Sequence, residues 1–161
     1  KLFVEAARIA VTRRPDLQLL VVGDGPERPA IEQAIRDAEL TTNIRLLGTR
    51  HDIPELLAAC DLVTLTSHTE ANPVSLLEAM AAGVPVVATR VGAVGDTVRH
   101  DATGLLVEPG DAQGLADSWL RIWNDGELAS RLSTAARQHV VDHASVEQMV
   151  VGYERLLDRL C

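Results

Sequence analysis

Aromatic residues, lysine and cysteine are all scarce in this chain. Only 2% of its 161 residues are aromatic, while 47% are hydrophobic, so a core must be built from Val, Leu, Ile and Ala. Lys1 is the only lysine, and the formal net charge is −8. With no basic run to track a phosphate backbone, nonspecific nucleic-acid binding is excluded. The two cysteines, Cys60 and Cys161, form no metal or redox motif. Cys60 is expected in an apolar helix, as a reduced core residue of a cytoplasmic protein, unpaired with Cys161. No stretch has the apolar length of a membrane span, and no signal peptide opens the sequence. A chain of this length buries roughly two-thirds of its unfolded surface, so residues 1–161 are expected to form one domain. It opens on Lys and runs straight into helical spacing, which reads as a piece of a longer polypeptide.

What is present is alternation. Leu2, Phe3, Ala6, Ile9 and Ala10 recur at helical spacing until Arg14-Pro15-Asp16 ends the run. Residues 17–22 are continuously apolar, as expected of a strand buried on both faces, and stop at Gly23-Asp24-Gly25-Pro26. A helix to about residue 38 follows. Strands are then expected at 44–47, 62–66, 84–89 and 105–107, separated by helices at 53–59 and 73–82, the second closed by Gly83 as a left-handed cap, and by a short helical turn after Gly95. Helices at 111–123, 127–141 and 146–160 close the chain. This order predicts an α/β fold with a doubly wound parallel sheet. Ligands of such sheets sit beyond the C-terminal ends of the strands, where Gly23–Pro26, Gly48–Asp52, Ser67–Asn72 and Arg90–Gly95 fall.

The densest signal is Ser67 to Gly83, Ser-His-Thr-Glu-Ala-Asn-Pro-Val-Ser-Leu-Leu-Glu-Ala-Met-Ala-Ala-Gly. Asn72 suits an N-cap and Pro73 the first helical position, whose N–H would be unpaired in any residue. The start therefore offers free N–H groups and the positive end of a helix dipole, a seat for phosphate. Glu70 lies just before that seat. Glu78 lies inside the helix among Val74, Leu76, Leu77, Ala79, Met80 and Ala81, either as a surface residue on an exposed stripe or as a partly buried carboxylate that is costly to desolvate without a partner. Gly23 and Gly25 make either a phosphate- or ribose-approaching turn or a plain strand–helix turn. Gly92 and Gly95 either let backbone approach a ligand or let the loop turn. Arg50 and Arg90 stand at strand ends, where they could neutralise phosphate or simply face solvent. His51 and His68 lack metal spacing, and nothing resembles a Ser–His–Asp set, a Walker loop or a zinc site.

In this order the pieces resemble the C-terminal, donor-binding domain of a GT-B glycosyltransferase of the retaining group called family 4, or group 1. Gly23-Asp24-Gly25-Pro26 is similar to that family's first turn and Gly48 to its second. Ser67–Glu70 with Pro73 and Leu76–Ala88 is similar to its most diagnostic segment, and Gly104–Asp111 to a later loop. The resemblance implies a Rossmann-like fold and a nucleotide-diphosphate sugar as donor. It implies that Glu70, the catalytic candidate, holds hydroxyls of the sugar and orients it, while Glu78 holds the ribose. Backbone near Asn72, Pro73, Val74 and Ser75 would hold the diphosphate, and backbone at Arg50 with the Asp52 side chain would meet the base. Gly23, Gly25 and Gly92 would line the same cleft. Ala71, Asn72 and Ala93 depart from the family pattern, and its upstream Arg/Lys pair does not match any residue here.

The expected function is thus donor binding for retaining glycosyl transfer, to an acceptor held by an N-terminal domain outside these residues. No metal or other cofactor is expected, and any membrane contact would be made by that other domain. Two further readings of the same fold are a non-catalytic binding or scaffolding domain and half of a sugar-nucleotide epimerase. Intact Glu70, Pro73 and Glu78 favour transfer over the first, and the second would need acid–base residues from elsewhere.

Overall fold

A computed structural model of the chain describes residues 1–159. The elements run α1 (Leu2–Arg13), β1 (Leu19–Val22), α2 (Arg28–Asp37), β2 (Ile44–Gly48), α3 (Ile53–Ala58), β3 (Val63–Leu65) and α4 (Val74–Ala81). They continue β4 (Val86–Thr89), α5 (Val94–Thr97), β5 (Leu105–Val107), α6 (Ala112–Asn124), α7 (Gly126–His143) and α8 (Val146–Leu157). This is the expected strand–helix alternation, a Rossmann-like α/β fold, and every ladder between named strands is parallel. The expected end of the last helix at residue 160 and the statement on Cys161 lie outside the described residues.

The ladders form two groups instead of one. β1 pairs with β2, with Leu19 opposite Ile44, and β4 stands between β3 and β5, with Val87 opposite Leu105. One hydrophobic cluster nevertheless spans both groups, joining Val4, Ala7, Ala10, Ile44, Val87, Leu105, Leu115 and Trp119. α1 lies on α6 through a Phe3–Trp119 ring contact, with centroids 5.4 Å apart. The Trp119 indole N–H donates to Thr64 Oγ1 at 2.7 Å, tying α6 to β3. A second cluster on the other side holds Leu76, Met80, Val86, Ala88, Val94, Val98 and Leu106. β4 thus feeds both, with every residue buried, as expected of a central parallel strand.

β1 does not meet the same expectation. Leu20 and Val22 are 40% and 44% exposed, because Leu19 and Val21 face the first cluster while neither cluster reaches the other side of this strand. Cys60 also differs from its expected place. It follows the C-cap of α3 in the turn toward β3, partly buried instead of in a core helix, where burial pushes its thiol pKa up.

α4 is fixed at both ends of its path. Leu76, Ala79 and Met80 are fully buried, and the helix closes with the predicted left-handed Gly83, φ +77°. There the Gly83 N–H donates to the Met80 carbonyl and the Val84 N–H to that of Ala79, a Schellman closure. Leu76→Ala should therefore lower stability by about 2–5 kcal/mol through lost burial and a residual cavity, read as a lower urea midpoint at unchanged m-value. A loss below about 1 kcal/mol would show that α4 is not anchored by this residue.

Candidate functional site

The candidate residues gather in loops at the C-terminal ends of the strands. After β1 and β2, the Gly23 N–H donates to the Gly48 carbonyl at 2.8 Å, closing one turn over the other. Asp24 accepts from its neighbour's N–H at Gly25, 2.8 Å, and from Arg28 at 3.3 Å. Arg28 also donates to Glu32 at 2.9 Å. Sequence reasoning did not single out Arg28; its signal is an Arg at the first position of a helix that follows a Gly-rich turn.

After β2, Arg50 and Asp52 form a two-point ion pair, with Arg50 Nε 2.8 Å from Asp52 Oδ1. The guanidinium holds the Asp52 carboxyl below the usual carboxylate range. Its oxygens are thereby occupied, and Asp52 makes no side-chain cap to α3 although it stands at the N-cap. The pair is exposed on the rim, as is His51.

After β3 the chain carries Glu70 in a specific setting. The buried Thr89 hydroxyl, at the end of β4, donates to the Ser67 carbonyl at 2.7 Å. Ser67 Oγ in turn donates to Glu70 Oε1 at 2.6 Å. The Glu70 carbonyl accepts from the Ala93 N–H at 3.0 Å. Gly92, with φ +47°, packs so tightly here that a Cβ would lie 2.0 Å from the Glu70 carbonyl oxygen. Glu70, Ser67, Thr89 and Gly92 are therefore one unit. Thr89 was not anticipated; the available signal is a lone hydroxyl ending the apolar run Val86-Val87-Ala88.

The α4 start differs from expectation by one residue. Pro73, buried and non-helical at ψ +73°, is the N-cap, and no side chain caps the helix. Asn72 stands one position outside it, its carbonyl accepting from the Val74 N–H at 2.9 Å in a tight turn. The Val74 N–H is thus engaged, whereas the Ser75 N–H has no partner among the described residues. Glu78 is exposed, as are Val74 and Ser75. Of the two readings this is the exposed stripe and not the partly buried carboxylate, because the buried stripe of α4 runs through Leu76, Ala79 and Met80 and Glu78 falls opposite it. Chemically, α4 presents a helix start with a free N–H and, about one turn in, an unpaired carboxylate on the same exposed side.

Among the described residues no group of three or more His, Cys, Asp or Glu is placed to hold a metal ion, and no helix is long and apolar enough to cross a membrane.

Comparison with known proteins gives this geometry a context. Residues 1–139 match the family described as glycosyl transferases group 1. The chain is 39% identical over 141 residues to N-acetyl-alpha-D-glucosaminyl L-malate synthase of Bacillus anthracis, covering 88% of this chain and 37% of that enzyme. It is 36% identical to the 2-deoxystreptamine N-acetyl-D-glucosaminyltransferase of Niallia circulans, covering 86% of this chain and 36% of the relative. The chain therefore spans little more than a third of the length of these relatives. Anabaena HepE in complex with UDP and glucose superposes with a TM-score of 0.88 at 29% identity, covering 97% of this chain and 44% of HepE.

The Gly92 contact gives a direct prediction. Gly92→Ala should cost at least about 1–2 kcal/mol from the left-handed backbone alone, with the clash against Glu70 added. Gly95→Ala, where a Cβ meets nothing within 4 Å, should be neutral or stabilise by roughly 0.5–1 kcal/mol, as expected inside a helix. Thermal unfolding of the two variants side by side checks this, and equal melting temperatures would disprove the contact.

Proposed function

The chain belongs to the glycosyl transferases group 1 family, and from that premise we propose that it binds the nucleotide-diphosphate sugar donor of a retaining, hexosyl-type transferase. The observation that carries this reading is the α4 start, where an unpartnered Ser75 N–H and the exposed Glu78 carboxylate share one side of the helix. A diphosphate needs donors and a positive field, which a helix N-terminus supplies. A ribose needs an acceptor for its two hydroxyls, which Glu78 supplies. Likeness to HepE, solved in complex with UDP and glucose, supports a nucleotide-sugar donor.

In this reading Glu70 accepts from hydroxyls of the sugar, held in place by Ser67 and by the Gly92 contact, and orients the donor without attacking it. Gly23, Gly25, Gly92 and the Arg50–Asp52 rim line the remaining cleft, with Asp52 and backbone at Arg50 facing the base. The departing diphosphate is stabilised by preorganised backbone donors and the helix dipole, so the reaction proposed here calls for no metal cofactor. The acceptor is held by an N-terminal domain of the parent polypeptide. Closure of the two domains brings donor and acceptor together and excludes water, and the sugar keeps its anomeric configuration as in the retaining group that the chain resembles. The parent works in the cytoplasm, and any membrane contact belongs to that other domain.

Titration calorimetry with UDP tests the site. The dipole contributes only about 0.3–1 kcal/mol at an exposed position, so affinity should be on the order of a millimolar, about −4 kcal/mol, with uridine binding more weakly still. Glu78→Gln should weaken UDP binding about ten-fold or more, since charge-assisted bonds are worth roughly 1.5–3 kcal/mol each. It should leave the melting temperature unchanged, because the carboxylate is exposed. Glu70→Gln should spare UDP and weaken only the sugar-bearing donor. Unchanged UDP affinity in Glu78→Gln would overturn the ribose assignment, and equal affinity for uridine and UDP would overturn the phosphate seat.

A further inference from the structure

Away from the donor site, α7 ends in a pair of histidines one turn apart. His139 and His143, at i and i+4, lie on one face of the helix. Their rings stack with centroids 4.6 Å apart and planes 26° from parallel. We propose that His139 and His143 form a two-imidazole clamp for a divalent transition-metal ion of the Cu²⁺, Ni²⁺, Zn²⁺ class.

Three features carry this. The spacing places two imidazoles one helical turn apart, a span that two metal–nitrogen bonds of about 2 Å can bridge once the rings turn out of their stack so that both lone pairs point at one ion. Secondly, His143 Nδ1 lies 3.0 Å from the His139 carbonyl oxygen. A carbonyl only accepts, so Nδ1 carries the proton and the lone pair is left on Nε2. A ring N–H held by a backbone carbonyl, with the other nitrogen free, is the arrangement that orients metal-binding histidines. Lastly, His139 is half-buried beside the buried Val140 while His143 is exposed. One ligand is thus packed against the helix and the other faces solvent, the side from which an ion arrives.

The charged groups facing His139 are Arg99, from the segment after α5, and Asp142 on the same helix. Their signs oppose, so neither an anionic cage nor a strong cationic barrier surrounds the pair. Asp142 is also engaged by Gln138, 2.8 Å away. Among the described residues no third His, Cys, Asp or Glu completes the set, so water fills the remaining positions. A two-nitrogen site of this kind selects imidazole-preferring metals over Mg²⁺ and Ca²⁺, with Cu²⁺ bound more tightly than Ni²⁺ or Zn²⁺. Bridging i and i+4 across the last turn of α7, the ion would resist fraying where the chain turns at Ala144 and Ser145 toward α8.

The test uses the untagged chain, titrated with Ni²⁺ and with Mg²⁺ by calorimetry and followed by melting. The expected result is one Ni²⁺ per chain, a raised melting temperature, and no response to Mg²⁺. His143→Asn, at an exposed position, should keep the fold and lose at least ten-fold in Ni²⁺ affinity. His143→Ala combined with Ala144→His keeps two histidines but breaks the i,i+4 spacing, and should bind no better than His143→Asn. Undiminished Ni²⁺ affinity in either variant, or one ion shared by two chains, would overturn the clamp.

Discussion

The arrangement of the candidate site depends on one close approach, that of Gly92 to the carbonyl of Glu70. No side chain fits between them, since a Cβ on residue 92 would sit 2.0 Å from that oxygen. The loop after β4 is therefore pressed directly onto the loop after β3. The Ala93 N–H then reaches the same oxygen, and Thr89, the last residue of β4, reaches back to Ser67. Each such bond contributes only about 0.5–1.5 kcal/mol net. Together they form a connected set in which each member restricts the next. The Glu70 side chain is at its end, held by Ser67, so the position of one carboxylate is set by the end of a buried strand.

That strand is also where the two layers of the core meet. Val87 belongs to one cluster, and Val86 and Ala88 to the other, so β4 cannot shift without disturbing both. The link between the ladders is made by side chains. Phe3, Trp119 and Thr64 connect α1, α6 and β3 in series, in a chain with few aromatic residues to use. The open side of β1, with Leu20 and Val22 exposed, is the part of the fold that this packing does not cover.

Much of this was legible in the sequence. Strand–helix alternation gave the fold class and the Gly83 stop held, whereas the side-chain caps Asp111, Asp125 and Ser145 that begin the last three helices were not singled out. The candidate residues do fall at strand ends. What was misread has specific physical causes. Cap position is uncertain by a residue wherever a proline can stand at N1 or at the cap, which moved Asn72 outside α4. Glu78 was judged by the apolar run around it, but burial on a helix follows its face. Leu76, Ala79 and Met80 define the inward stripe, and a 100° step places residue 78 opposite it. Residues 17–22 read as doubly buried because an apolar run shows which residues can be buried, not whether a layer covers each side. The Gly92–Glu70 contact joins residues 22 apart and leaves no local signature except the glycine itself.

The rim's polar groups divide into those already paired and those left open, and this decides how a ligand can be held. Arg50 is committed to Asp52 at two points, Arg28 to Asp24 and Glu32, and Arg90 to Glu108 at 3.2 Å. Each of these guanidinium groups would therefore meet a phosphate with part of its donor set already committed to a carboxylate. With a net charge of −8, the chain's long-range field also opposes an incoming anion. In the proposed reading the attraction also draws on donors that are free and fixed in place, at the start of α4, where the Ser75 N–H has no partner among the described residues. Backbone donors cannot be deprotonated or swung away, and they act over only the first turn of the helix. In the proposed reading recognition would be local and geometric, and the turn at Asn72–Val74, which sets the direction of the Ser75 N–H, would matter more to it than the number of arginines nearby.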